Sequence, residues 1–305
     1  MKHIHNGDVV AEIARRSGIP GDHLPFREAL ATGPATRDLE ARARYLSETH
    51  DDKLLRVRNG LLEQEKALDE AMKDDEIVLW FEHDLFCLVN LLSLLVRFAS
   101  CRRLTLVWNA EPLSKPDLYP LYESRAAVTP RMIALARDAW EAYTSDDPRA
   151  LNRFVRDDNR DFPFLRDGMT LHASRFPSTR NGLGGIEQRL LDLILNGSRD
   201  FGTLFYDFDA APPRFGFGDS EVIRVLRVLA NLPVPLISMT DEAGGAPMKA
   251  IFTLTPAAEN VMRGEVGFVK VNDPDYWLGG VHLTRENGWR WDEDRREIVS
   301  SRSAG

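Results

Sequence analysis

Apolar and polar positions along the chain change rhythm twice, and each change marks a different kind of element. "KHIHN" at residues 2–6 reads as a short strand, and "GDVVAEIARRSG" follows with Val9, Val10, Ile13 and Ala14 at helical spacing. Gly18 and Pro20 end that helix. "DHLPF" is a second, weaker strand. Helices are predicted over about 37–47 and 53–73, the latter with Leu54, Val57, Leu61, Leu68 and Met72 as its apolar stripe. "EIVLWF" is apolar throughout, the composition of a strand covered on both faces. Residues 85–99 form a helix that is apolar nearly all round, interrupted by Asn90, Ser93 and Arg97, and "RLTLVWN" is a further strand. Strand alternating with helix predicts an α/β domain over residues 1–125, a Rossmann-like, mostly parallel sheet with helices on its faces.

Pro112, Pro116 and Pro120 punctuate the end of that domain. Residues 126–180 read as a helical connector, with Trp140 and Phe154 as packing residues. From 181 to 305 the order is helix ("GIEQRLLDLILNG"), helix ("DFGTLFYDF") and helix ("DSEVIRVLRVLANL", capped by Asp219 or Ser220). Strands "PLISM" and "KAIFTLT" follow around "TDEAGGAPM", and "PAAENVMRGE" closes the run as a helix. Three helices and a hairpin are the order of a winged-helix-like α+β domain. The aromatic tail contains "GWRWDEDRREIV", which reads as a second hairpin. Its Trp289 and Trp291, with Trp277, are expected to pack against the other domain, because exposed tryptophans are costly.

Composition narrows the function classes. The chain has 305 residues and a net charge of −8, and both halves hold more acid than base. Neither has the cationic surplus that neutralises a phosphate backbone. The amino terminus lacks the apolar core of a signal peptide, and the apolar run at 85–99 is too short to span a bilayer, so a cytoplasmic protein is expected. Cys87 and Cys101 have neither metal-type spacing nor a disulfide framework and read as buried thiols.

Ligands of open α/β sheets bind beyond the carboxyl ends of the strands, so the residues delivered there are the candidates. The first strand delivers Asn6, Gly7 and Asp8; the second, Arg27 and Glu28; the third, Glu82, His83 and Asp84; the fourth, Asn109 and Glu111. Asp8, His83 and Asp84 are the candidate catalytic residues. His83 between two carboxylates is suited to general acid–base work, or is a surface histidine tied to its neighbours. Asn6, Gly7, Arg27, Glu28 and Glu82 are the candidate ligand-binding residues. Asp8 and Asp84 each stand where a helix needs an N-cap, which would occupy them without excluding a ligand. Gly7 suits a tight turn, and Arg27 either pairs internally or holds an anion. Four carboxylates at this edge favour sugar hydroxyls, an amine or a divalent metal over a bare phosphate. No Rossmann glycine fingerprint or P-loop is present, and no cofactor is identified. "HIH" puts His3 and His5 on one side of a strand, but His3 lies a step deeper, so no metal set is assigned.

"HIHNGD" at 3–8, "LPFREALATGP" at 24–34, "RARYL" at 42–46 and "LWFEHDLF" at 79–86 together resemble the bacterial family called domain of unknown function 1835. "FPSTRNGLGGIEQRLL", "FGFGDSEV" and "DYWLGGVHL" resemble the region often joined to it. The chain departs in Phe26, where the family often has Trp, and in Glu28, where it often has Asp. The resemblance carries no established activity. It implies that Asn6, Gly7, Asp8, Arg27, Gly33, Pro34, Glu82, His83 and Asp84 lie on the family's motifs.

The expected function is binding of a small polar, nucleotide- or sugar-like ligand at the sheet edge, with or without catalysis. The alternative is a ligand-sensing regulator whose winged helix contacts DNA or protein. DNA is disfavoured by the acidic turn "DEAGGA" and by Arg224 and Arg227 standing amid Val, Ile and Leu. No membrane partner is expected, and a homo-oligomer stays open.

Overall fold

The computed structural model describes residues 1–240 and 250–300. It divides into two units. Unit 1 comprises Met1–Ala150, Asp158–Leu165 and Trp277–Val281, and unit 2 comprises Leu151–Asp157, Arg166–Tyr276 and His282–Gly305. The stretch read as a connector is thus shared between the two units.

In unit 1 the elements run β1 (Lys2–Asn6), α1 (Asp8–Arg16), β2 (Asp22–Phe26), β3 (Gly33–Pro34), α2 (Leu39–His50) and α3 (Leu54–Ala71). They continue as β4 (Ile77–Glu82), α4 (Leu85–Arg97), β5 (Leu104–Asn109), α5 (Tyr119–Glu123), β6 (Ala126–Ala127) and α6 (Pro130–Thr144). The fold is mixed α/β. Its five-stranded sheet has the order β2-β1-β4-β5-β6, parallel except for the short edge strand β6. The apolar run of β4 is central, and Ile77 to Phe81 are all buried.

Two crossovers set the faces of this sheet. The chain goes from β1 through α1 to β2 on one side, and from β4 through α4 to β5 on the other. Right-handed crossovers in opposite directions place their helices on opposite faces. Val10 and Ala14 of α1 accordingly pack with Val78, Trp80 and Val107, and the pleat turns Leu79 and Phe81 the other way. Val9, expected on the apolar face of α1, is 69% exposed, while Ala11 is buried in its place. In α3, Leu61 and Leu68 are buried, but Leu54 at its start is exposed.

A second small pairing completes unit 1. Residues Gly33–Pro34 of β3 run parallel to Leu278–Gly279 of β9 (Tyr276–Gly279). Ala35 N–H donates to Gly279 O, and Gly280 N–H donates to Tyr143 O, both at 2.9 Å. A Cβ on Gly279 would lie 2.2 Å from Tyr143 O, and one on Gly280 2.0 Å from Thr144 O. Only glycine lets the backbones approach this closely.

Unit 2 contains α7 (Asn152–Arg156), α8 (Leu165–Ser174), α9 (Gly185–Leu195), α10 (Phe201–Asp209) and α11 (Asp219–Ala230). The antiparallel pair β7 (Ile237–Thr240) and β8 (Ile251–Leu254) and the helices α12 (Pro256–Met262) and α13 (Phe268–Val271) follow. β10 (Val281–Leu283) precedes the hairpin of β11 (Trp289–Asp292) and β12 (Glu297–Ser300), whose strands meet around the acidic turn as its sequence predicts. The cap of α11 falls on Gly218, not on Asp219 or Ser220, which lie in its first turn. Residues 241–249, including the acidic turn "DEAGGA" between β7 and β8, lie outside the described residues. Trp291 is buried within unit 2, where its backbone bonds to Pro177 and Thr179. Among the described residues no helix is long and apolar enough to cross a membrane.

Candidate functional site

The strand order 2-1-4-5 has a consequence for the turns after β1 and β4. Chain connections leave these adjacent strands in opposite directions, the arrangement at which open α/β sheets bind ligands beyond the carboxyl ends of their strands. "NGD" begins at the last residue of β1 and "EHD" at the last residue of β4, and the strands pair in register from Lys2↔Ile77 to His5↔Trp80. The two polar turns therefore stand side by side at the point where such folds take ligands.

The candidate side chains at this edge divide into those that build it and those that face out. Asn6, Glu28 and Asp84 build it. Asn90, fully buried in α4, donates to Asn6 Oδ1 at 2.9 Å and to Glu28 O at 2.9 Å, and accepts from Leu30 N–H at 3.3 Å. Asn6 in turn donates from Nδ2 to Cys87 Sγ at 3.1 Å, and burial pushes the Cys87 thiol well above its ordinary range. One buried amide in a mostly apolar helix thus ties together the ends of β1 and β2. Asp84 is buried and caps α4, accepting from Cys87 N–H at 2.6 Å.

Glu28 turns inward to Arg42, which is 1% exposed. Arg42 also donates to Thr32 O at 2.6 Å, Ala29 O at 3.2 Å and Pro34 O at 3.3 Å. The loop 28–34 is wrapped around this guanidinium, which explains why "REALATGP" and "RARYL" occur together. Gly33, at φ 68°, passes so close to Tyr45 that a Cβ would sit 2.2 Å from its ring. Glu28, a candidate ligand group by sequence, is the counter-ion of a buried arginine.

Asp8 and Arg27 face outward, whereas Glu82 and His83 are half-buried at the end of β4. Asp8 does not cap α1: the cap position is Gly7 at φ 91°, and Asp8 lies in the first helical turn. Its carboxylate takes a two-pronged pair from Arg27, at 2.8 and 2.7 Å, and both side chains are exposed. The hydrogen bond from Arg27 holds the Asp8 carboxyl below its usual range and raises Arg27. Half-buried Glu82 accepts from Leu113 N–H at 2.8 Å and so fixes the loop after β5. Half-buried His83 continues the β4–β5 ladder, its N–H donating to Asn109 O at 2.8 Å. Its ring lies 4.5 Å from that of Trp108 and stacks at 5.4 Å on Phe164. Phe164 has φ 68°, a left-handed backbone that a bulky residue adopts at a cost. Asn109 is spent on Glu111 O at 2.6 Å. A cavity of about 300 Å³ opens beside Trp108, with Asn109, Arg125, Met132 and Pro163 in its wall.

Three of the other histidines, His3, His5 and His23, form a stack beneath this edge. His3 and His5 are joined by His23, with ring centroids 4.7 Å apart for His3–His23 and 5.1 Å for His5–His23. The partners order the protons. Trp80 Nε1–H donates to His3 Nδ1 at 3.1 Å, which leaves His3 Nε2–H to donate to Pro20 O at 2.9 Å. His23 Nε2–H donates to Ile19 O at 3.1 Å, so its Nδ1 accepts from His5 Nε2–H at 2.9 Å. His5 Nδ1 ends the chain, buried and without a hydrogen-bond partner among the described residues. Burial pushes His3 down to about 4 and His5 down to about 2, with the neighbouring histidines adding to the shift. Among the described residues no group of three or more His, Cys, Asp or Glu is placed to hold a metal ion.

Set against models of protein families and against curated proteins, the chain matches none of them.

Proposed function

We propose that unit 1 binds a small polar, nucleotide- or sugar-like ligand beyond the carboxyl ends of β1 and β4. The observation that carries this reading is the reversal of strand order at β1/β4, which brings the turns "NGD" and "EHD" together. Asp8 and Arg27 present an exposed donor and acceptor pair to such a ligand, and His83 on Trp108 and Phe164 offers a ring platform. Gly7 leaves the approach open, since a Cβ there would meet nothing within 4 Å. The resemblance to domain of unknown function 1835 agrees with this placement, because its motifs supply both turns. Thermal-shift screening against nucleotides, sugars and divalent metals tests the proposal. At least one class should stabilise the protein, and Asp8→Ala and His83→Ala should abolish that shift. Stabilisation by no class would sink it.

A second reading is favoured by the order α9, α10, α11, β7, β8, which is that of a winged helix. In it, unit 2 is the output half of a ligand-sensing regulator. Arg227 is exposed on α11, whereas Arg224 is half-buried and lies within the field of Glu187. Contact with a protein therefore suits the surface better than contact with DNA. Salt-dependent retardation of duplex DNA, lost in Arg227→Glu, would reverse that preference.

A further inference from the structure

Unit 2 holds a cavity of about 660 Å³, within the range of small-molecule sites. One wall is a single face of α9, on which Gly185, Gln188, Arg189 and Asp192 recur at helical spacing, with Asn196 capping its carboxyl end. Facing residues come from the loop after α8 and from β11, which are held together by the Thr179 N–H to Trp291 O and Trp291 N–H to Pro177 O bonds, both 2.9 Å.

The polar groups in these walls are chained. Asn181 Nδ2 donates to Gln188 Oε1 at 2.8 Å, and Gln188 Nε2 donates to Asp192 Oδ1 at 3.0 Å. Each amide nitrogen carries a second hydrogen, and each carbonyl or carboxylate oxygen a second lone pair, so the chain fixes the side chains without exhausting them. Burial raises the Asp192 carboxyl against the opposing effect of the Gln188 bond.

Charge narrows the occupant. The lining has two arginines and two carboxylates. Arg180 is paired with Glu293 at 3.1 Å, and Arg189 donates to Ala211 O at 3.2 Å and Pro213 O at 3.4 Å. Two cationic and two anionic side chains balance one another in the described lining, so it offers a net charge to neither a phosphate nor a polycation. Hydroxyl groups, which donate and accept at once, match a wall of amides, a carboxylate and the Ser174 and Ser178 hydroxyls. Trp291 and Phe215 add apolar surface for the C–H faces of a ring.

We infer that this cavity is a second ligand site, distinct from the sheet edge of unit 1, and that it takes a neutral polyhydroxylated molecule of saccharide size. The test uses the full chain with glucose, galactose, N-acetylglucosamine and maltose, read by saturation-transfer NMR and calorimetry. At least one should bind saturably. Gln188→Leu should weaken that binding roughly tenfold, the scale of one lost hydrogen bond to a charged or amide group. Asp192→Asn keeps an oxygen for Gln188 and the shape of the wall, so it guards against a folding artefact, and it should weaken binding in the same direction. Asp8→Ala should leave binding unchanged. Absence of binding by all four sugars overturns the inference. So does binding that survives both unit 2 variants in folded protein, and so does binding lost in Asp8→Ala, which would assign the sugar to the sheet edge.

Discussion

Acidifying the protein from pH 8 to pH 5 should cost it much of its stability, and the histidine stack gives the reason. His3 and His5 are both fully buried, with folded pKa values of about 4 and about 2, whereas an unfolded histidine titrates near 6.5. The folded values are depressed, so the unfolded chain binds more protons. The stabilisation is complete above pH 6.5 and is lost as pH falls toward the folded values. At pH 5 the unfolded imidazoles are almost fully charged and the folded pair remains neutral. Linkage then gives a loss of about 2 kcal/mol for each residue, or ~4 kcal/mol for the two, against a typical total of about 5–15 kcal/mol. The depressed carboxylates, Asp8 and Asp147 among them, add little in this window, because their protonation begins near and below their unfolded values. Urea titrations at both pH values, on the wild type and on His5→Leu, isolate the effect. The substitution removes one titrating group, so the stability difference between pH 8 and pH 5 should shrink by about 2 kcal/mol. An unchanged difference in His5→Leu would refute the argument, as would imidazole resonances of His3 and His5 that titrate near 6.5.

Three substitutions separate scaffold from surface at the sheet edge. Glu28→Gln leaves Arg42 buried without its counter-ion and should destabilise by about 3–5 kcal/mol, seen as a lower urea midpoint. Asp84→Ala removes the cap on α4 and should cost about 1 kcal/mol in the same assay, while Asp8→Ala, whose exposed pair with Arg27 is solvent-screened, should cost less than that.

The regular elements of unit 1 were legible because periodicity is a local property. The continuous apolar run of "IVLWF" announced a strand buried on both faces, and the cap at Asp84 followed from its place before a helix. The site was legible only as a set of strand ends. Which members face a ligand depends on contacts between residues far apart in sequence: Glu28 with Arg42, and Asn6 with Asn90. Asn90 did leave a trace, as an amide inside an apolar helix, which a buried polar group with obligatory partners would explain. Arg42 showed only as the first residue of "RARYL", since an arginine in a helix rich in charged residues reads as solvated. Asp8 was misplaced by one residue because Gly7, with its positive φ, can begin a helix without a side-chain cap. Trp108 and Phe164 escaped notice for a different reason: their ring contacts with His83 join β4, β5 and a segment beyond α7, and no local spacing encodes that.

The pairing of Gly33–Pro34 with Leu278–Gly279 bears on how this chain leaves the ribosome. Unit 1 takes its last strand from residues synthesised well over two hundred positions after its first. Until then the edge of β3 and the carbonyl of Tyr143 await their partners, and the sheet of β1, β2, β4 and β5 has to hold together without that seam. An expression fragment ended at Ala150 would meet the same lack permanently. Its border would be drawn through a single hydrogen-bonded structure, inside the stretch 126–180 that the sequence reads as a connector.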